Sequence, residues 1–151
     1  MTHSHNLVYF MKKLETERNT LYEFIEILKK EENALVEGKI KKIDYLASDK
    51  SRLIEELIKL DDRRNEYLQK QGLSLTKNSI NAWLTEQHSC QNEIKTLWNE
   101  LLNLAKTAQQ LNHSNGLIIS NQLQHNQRAF AALNCAAGNV SLYGPKGQTY
   151  I

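Results

Sequence analysis

The sequence predicts an all-α protein, and three observations support this fold class. The 151 residues include one proline and six glycines, which supply too few turn residues for a β-rich chain of this length. Aromatic residues make up 7% of the chain, which favours narrow seams between long helices over a broad globular core. Leucine recurs every seven residues in the first segment, at Leu7, Leu14, Leu21, Leu28 and Leu35. We therefore expect a single helical domain over residues 1–151.

The first half of the chain predicts an antiparallel helical hairpin over residues 6–71. A seven-residue leucine interval is the apolar seam of a helix that packs on a neighbour as in a coiled coil. Gly38 is suited to end this first helix, at about residues 6–37, because glycine readily adopts the left-handed conformation. A second helix, at about residues 39–71, ends at Gly72 in the same way. Since only a few residues connect the two helices, they are expected to run antiparallel.

The seam of the second helix follows spacings of three and four residues. Its positions are Ile43, Leu46, Lys50, Leu53, Leu57, Leu60, Arg64 and Tyr67. Lys50 and Arg64 interrupt this apolar row. Long basic side chains commonly lie along apolar surface with the charged group in water, so both are expected to extend to the rim of the seam.

A long third helix is predicted over residues 89–137, after an irregular segment at residues 72–88. Within that segment we expect one short helical turn around Ile80 to Leu84, with Trp83 and Leu84 covering one end of the hairpin. At 1.5 Å per residue the long helix spans roughly 70 Å, against roughly 45 Å for each hairpin helix, so its end is expected to extend past the hairpin from about Ser120. Residues 139–151 are expected to form a flexible tail because they include Gly144, Pro145 and Gly147.

The charge distribution changes abruptly in the last third of the chain. All seventeen acidic residues lie at or before Glu100, and only Lys106, Arg128 and Lys146 are ionised beyond it. An apolar stripe nevertheless continues on one helix face, interrupted by one asparagine. Its members are Ile119, Leu123, Asn126, Phe130, Leu133 and Ala137. Since helix faces that meet water normally bear charge, this stripe is predicted to be covered.

Three occupants of the stripe remain open from the residues alone. The first is a partner protein, in which case Ile119, Leu123, Asn126, Phe130 and Leu133 are the binding residues of an arm at residues 116–137. Neutral amides around the stripe favour a partner, because they keep the helix soluble without the cost of burying ions on binding. The second occupant is the hairpin itself, if the arm folds back as a fourth core strip. The third is a second copy of the chain.

Several function classes lack their usual residues. A net charge of +2, with lysines that alternate with glutamates, does not indicate a nucleic-acid partner. No segment approaches the ~18 apolar residues of a membrane span. Cys90 and Cys135 are far apart and the five histidines lack metal-ligand spacing, so no metal, cofactor or enzymatic activity is predicted. Two isolated cysteines are also typical of a reducing cytoplasm.

Three short runs near the C-terminus resemble the signatures of a known family. They read Asn112-His113-Ser114-Asn115-Gly116-Leu117, then Asn126-Gln127-Arg128-Ala129, then Leu142-Tyr143-Gly144-Pro145-Lys146-Gly147-Gln148. In this order and at this spacing they are similar to motifs of the FlgN-type export chaperones of the bacterial flagellum. The likeness spans the whole chain, but its specificity lies in the last forty residues.

The resemblance implies a cytoplasmic chaperone without a cofactor or enzymatic activity. Proteins of this family bind hook–filament junction proteins through the helical C-terminal segments of those proteins, and deliver them to the flagellar type III export gate. The resemblance assigns cargo binding to the C-terminal helix, and it suggests that Leu142, Tyr143 and Gly144 dock on the export gate after cargo has bound. The alternative is a coiled-coil scaffold that self-associates through its own stripe. A weak homo-oligomer is compatible with either function.

Overall fold

The computed structural model describes residues 2–86 and 91–136. Within these ranges the secondary structure consists of four α-helices: α1 (Thr2–Glu37), α2 (Ile40–Lys70), α3 (Lys77–Glu86) and α4 (Gln91–Ala136). The all-α class is therefore confirmed. The chain divides into two compact units, Met1–Asn112 (unit 1) and His113–Ile151 (unit 2).

The turns after α1 and α2 follow the glycine pattern predicted from the sequence. Gly38 has a φ of +69° and Gly72 a φ of +81°, and both values lie in the left-handed region that favours glycine. After Gly38, the backbone N–H of Lys39 donates to the carbonyl oxygen of Ala34 over 2.9 Å. This bond satisfies a carbonyl that the end of α1 would otherwise leave without a partner.

Cross-helix contacts show that α1 and α2 run antiparallel. As the residue numbers rise along α1, the numbers of the α2 residues that they contact fall. The three contacts are Phe10 with Tyr67, Glu17 with Arg64, and Glu31 with Lys50. All five leucines of the seven-residue series are buried, as predicted. The first four of them pack with α2 residues such as Leu53 and Leu68 to form the hairpin core.

The first part of α4 packs on the hairpin within unit 1. Its buried side chains are Ile94, Leu97, Trp98, Leu101 and Ala108, and they belong to the same core cluster as the hairpin leucines. At the surface, the hydroxyl of Tyr22 in α1 donates to Glu100 Oε1 over 2.7 Å. The long helix laid along the hairpin is thus confirmed for unit 1. Its predicted start near Ser89 and its last predicted residue, Ala137, lie outside the described residues, and its extension past the hairpin stays a prediction.

The connection between α2 and α4 is more helical than the sequence suggested. Instead of one turn around Ile80 to Leu84, a ten-residue helix forms over Lys77–Glu86. Thr76 precedes it and accepts a hydrogen bond from the backbone N–H of Ser79 over 3.2 Å, which caps the helix start. The sequence predicted only one helical turn here because the apolar stretch of this segment is short.

An aromatic cluster covers the end of the hairpin, as predicted for Trp83. The ring of Phe10 stacks on Tyr67 with centroids 4.5 Å apart, and Trp83 meets Phe10 edge to face at 5.7 Å. Leu84, beside Trp83, is also buried. Offset and edge-to-face pairs of this kind add to the area that the rings bury. Burial also raises the pKa of the Tyr67 hydroxyl.

The two basic residues of the α2 seam do not extend to its rim, so that expectation is wrong. Arg64 is largely buried and forms ion pairs with Glu17 of α1 and with Asp61. Lys50 contacts the buried Glu31 carboxylate at 3.2 Å. The Arg64 guanidinium also lies 5.5 Å from the ring centroid of Trp98 in α4. Arg64 therefore links all three long helices through charge and cation–π contacts.

We predict that replacement of Arg64 by Met destabilises the protein by about 3 kcal/mol at neutral pH, because it leaves the buried Glu17 carboxylate without its cation. Introducing Glu17→Gln in the Arg64→Met background should recover most of that loss, since no buried charge then remains unpaired. The measurement is urea unfolding of the four proteins of this double-mutant cycle. The prediction is contradicted if Arg64→Met alone and the Arg64→Met/Glu17→Gln double variant lose the same free energy of unfolding.

We also predict a defined pH dependence for Glu17. Burial raises the pKa of this carboxyl above its ordinary value of 4.5, more than the nearby Arg64 lowers it. The folded protein thus favours protonation of Glu17 more than the unfolded chain does, so its contribution to stability is full below the unfolded-state pKa and is lost as the pH rises through the folded-state pKa. The free energy of unfolding of the wild type minus that of Glu17→Gln should fall as the pH rises through and above the ordinary carboxyl pKa of 4.5. A difference that grows over this range would show that Arg64 dominates.

Candidate functional site

The predicted stripe lies on the part of α4 that belongs to unit 2, and its large side chains are exposed. Ile119 is 45% exposed, Phe130 46% and Leu133 70%, while Leu123 is partly buried. The intervals of four, seven and three residues place these four side chains on one helix face. Exposed leucine and phenylalanine in such a row are typical of a binding surface.

The surroundings of the stripe contain almost no charge. Among the described residues of unit 2, 113–136, Arg128 is the ionised side chain. Asn121, Gln122 and Gln124 are exposed beside the stripe. Amides of this kind hydrogen-bond water in the free protein and can be covered at a lower desolvation cost than ions. This surface is suited to bind an apolar partner.

Some predicted site residues cannot be placed on this surface. The side chain of Asn126 and the residues Leu142, Tyr143 and Gly144 lie outside what the structure describes. The assignment of Asn126 to cargo and of the other three to export-gate docking therefore stays a prediction.

Two residues near the stripe were not expected from the sequence to matter for this surface. Leu117 is 53% exposed but lies roughly 200° around the helix from Ile119, at 100° per residue, so it is on the opposite face. Asn115 is buried at 1% exposure, one helical turn before Ile119. Helical spacing identifies the position of Leu117, but the burial of an asparagine on a helix has no signal in the sequence.

Gly116 interrupts α4 with a residue that weakens helices. It adopts ordinary helical geometry, and a methyl group added at its Cα would meet nothing within 4 Å. No steric contact therefore requires glycine at this position. Its effect is to lower the local stability of the helix next to the apolar stripe.

In residues 2–86 and 91–136, no group of three histidine, cysteine or acidic side chains could hold a metal ion. None of the helices in these ranges is long and apolar enough to cross a membrane.

Comparison with known proteins finds one family. The family model described as "FlgN protein" matches residues 1–151. A curated relative, "Flagella synthesis protein FlgN" of Yersinia enterocolitica, is 29% identical over 143 residues, which are 91% of this chain and 89% of the relative. The protein of the same name from Y. enterocolitica serotype O:8 / biotype 1B shows the same identity and coverage. No solved structure matches the chain.

We predict that Gly116→Ala stabilises this part of α4 by about 0.5–1 kcal/mol, because alanine is the better helix former and the space beside it is open. Hydrogen exchange of the backbone amides at residues 113–120 should slow accordingly. The control is Gly38→Ala, which should destabilise the hairpin because Gly38 has a positive φ. Unchanged exchange near residue 116 would mean that the glycine does not limit helix stability there.

Proposed function

The chain belongs to the FlgN family, and we propose that it acts as a cytoplasmic chaperone in flagellar assembly. In this proposal it binds the helical C-terminal segments of hook–filament junction proteins and delivers them to the flagellar type III export gate. The single observation that supports cargo binding most strongly is the exposed, nearly uncharged apolar face of α4 at Ile119, Leu123, Phe130 and Leu133.

The physical basis of cargo binding is the burial of this apolar face. Each large side chain removed from water contributes roughly 1.5–3 kcal/mol. A helical cargo segment is a suitable partner because amphipathic helices bind one another through residues spaced three and four apart. Arg128 is the one ionised group near the stripe in the described part of unit 2, so few charges would lose water on binding.

Docking on the export gate is assigned to Leu142, Tyr143 and Gly144. The proposal rests on the sequence of this segment and its likeness to the family. Tyrosine is favoured at protein interfaces because it buries a large ring at little cost in side-chain entropy. The segment lies outside the stripe in sequence, so cargo binding and gate docking would use different residues.

The second candidate function is a scaffold that self-associates through the same stripe. The exposed face of α4 favours it, since an apolar row can also pair with a second copy. Sedimentation at several protein concentrations separates the two functions. A stable oligomer that persists with Leu123 intact and dissociates in Leu123→Asp, without any junction protein, would favour the scaffold.

We predict that Leu123→Asp and Phe130→Asp each reduce the affinity for a junction-protein C-terminal segment by more than tenfold, because a carboxylate would be buried in an apolar interface. Calorimetric titration with the purified segment measures this. The matched control is Leu117→Asp, which places the same carboxylate in the same unit on the opposite face of α4. Equal losses in Leu117→Asp and Leu123→Asp would contradict the assignment of the face.

We predict that Tyr143→Ala leaves cargo affinity and thermal stability unchanged but slows export of the junction proteins. The reason is that the tyrosine ring would contact the gate and not the cargo. Secreted junction protein is quantified in culture supernatant, with cargo affinity measured on the purified variant. Normal export, or an equal loss of cargo binding, would show that a separate docking role is wrong.

A further inference from the structure

A groove of about 340 Å³ lies in unit 1 and is lined mostly by residues of α2 and α4, with Glu17 and Leu21 from α1. We call it the α2–α4 groove. Ile54 and Ile58 of α2 form one aliphatic wall, and Leu102 and Ala105 of α4 form the other. Its residues all belong to unit 1, so it is separate from the cargo stripe.

The two isoleucines that form the α2 wall of the groove are exposed, although α2 is rich in charged residues. Ile58 is 56% exposed, and Ile54, one helical turn earlier, is also exposed. A single exposed isoleucine requires no explanation. Here two of them share a face, and they lie opposite aliphatic side chains of a second helix. The result is a groove with aliphatic side chains from two helices, which is the kind of surface that binds an amphipathic helix.

One end of the groove, past Ile58 along α2, is lined by charged side chains. Glu17, Asp61 and Arg64 line it, and the guanidinium of Arg64 pairs with both carboxylates. Glu17 and Arg64 are buried or nearly so, whereas about half of the Asp61 side chain is exposed. An incoming group therefore meets the Asp61 carboxylate first. A positively charged side chain would complement this end, and an acidic one would be repelled.

We propose that the α2–α4 groove binds an amphipathic helix of another protein that has aliphatic side chains on one face and a lysine or arginine at the end beside Asp61. A helix fits because the two walls are themselves helices, whose ridges leave a groove of matching spacing. This binding site lies beyond the proposed cargo function, since it uses α2 and the first part of α4. It gives the protein a second surface through which it could bind a component other than its cargo.

The probe is a fluorescently labelled helical peptide of about 18 residues, with leucines at one-face spacing and a single lysine at the end of that face. A second peptide has glutamate in place of the lysine. Binding to the full chain is followed by fluorescence anisotropy. The lysine peptide should bind saturably and at least about threefold more tightly than the glutamate peptide, as expected for a half-exposed ion pair.

Three variants locate the binding. Ile58→Asp should weaken the lysine peptide by more than about tenfold, because it places a carboxylate in the apolar wall. The matched control is Ile40→Asp, since Ile40 is also an exposed isoleucine of α2, at 72%, and does not line the groove. Asp61→Asn should abolish the preference for lysine over glutamate. Ile58→Ser provides a milder change if the circular dichroism of Ile58→Asp departs from that of the wild type.

The outcomes separate this site from the cargo stripe. Leu123→Asp should bind the lysine peptide as the wild type does, so loss of cargo binding and loss of groove binding are measured independently. The proposal is overturned if neither peptide binds, if Ile58→Asp and Ile40→Asp bind alike, or if Asp61→Asn keeps the preference for lysine.

Discussion

The fixed register of the α1–α2 hairpin is the constraint on which unit 1 depends. A repeating leucine seam alone would tolerate a slip of the two helices by one repeat, because leucine would again face leucine. The buried pairs of Glu17 with Arg64 and of Glu31 with Lys50 remove that freedom. A slipped register would leave buried carboxylates without cations, at a cost of several kcal/mol. The same Arg64 contacts Trp98, so the register also positions the start of α4.

Features set by spacing within one helix could be predicted, whereas the ion pairs between helices could not. The leucine seam and the turns at Gly38 and Gly72 depend on local periodicity and backbone freedom, and the structure confirms them. The burial of Glu17 depends on which α2 residue lies opposite it, which no pattern on α1 reveals. The short helix α3 was underestimated because ten residues provide fewer than three turns of periodicity.

The candidate binding face was identified from spacing within one helix, and its binding role stays a prediction. All five of its residues follow helical spacing on α4, and the structure describes the side chains of four of them. Helical spacing and residue polarity do not determine whether a side chain is exposed. Asn115 is polar, yet it is buried. The abrupt loss of charge after Glu100 was a better indicator of the candidate binding face than residue spacing was. It distinguishes the charged first hundred residues from the part of α4 after Glu100, whose side chains are mostly apolar or amides.

Hydrogen exchange of the full chain, with and without a junction-protein C-terminal segment, tests the central claim most directly. The proposed function predicts that the largest gain in protection on binding lies within residues 117–136, on the helix that bears the stripe. Amides of the hairpin core around Leu53 should change little, because they are already buried in the free protein. Saturating binding without added protection in residues 117–136 would contradict the assignment of cargo to this face of α4.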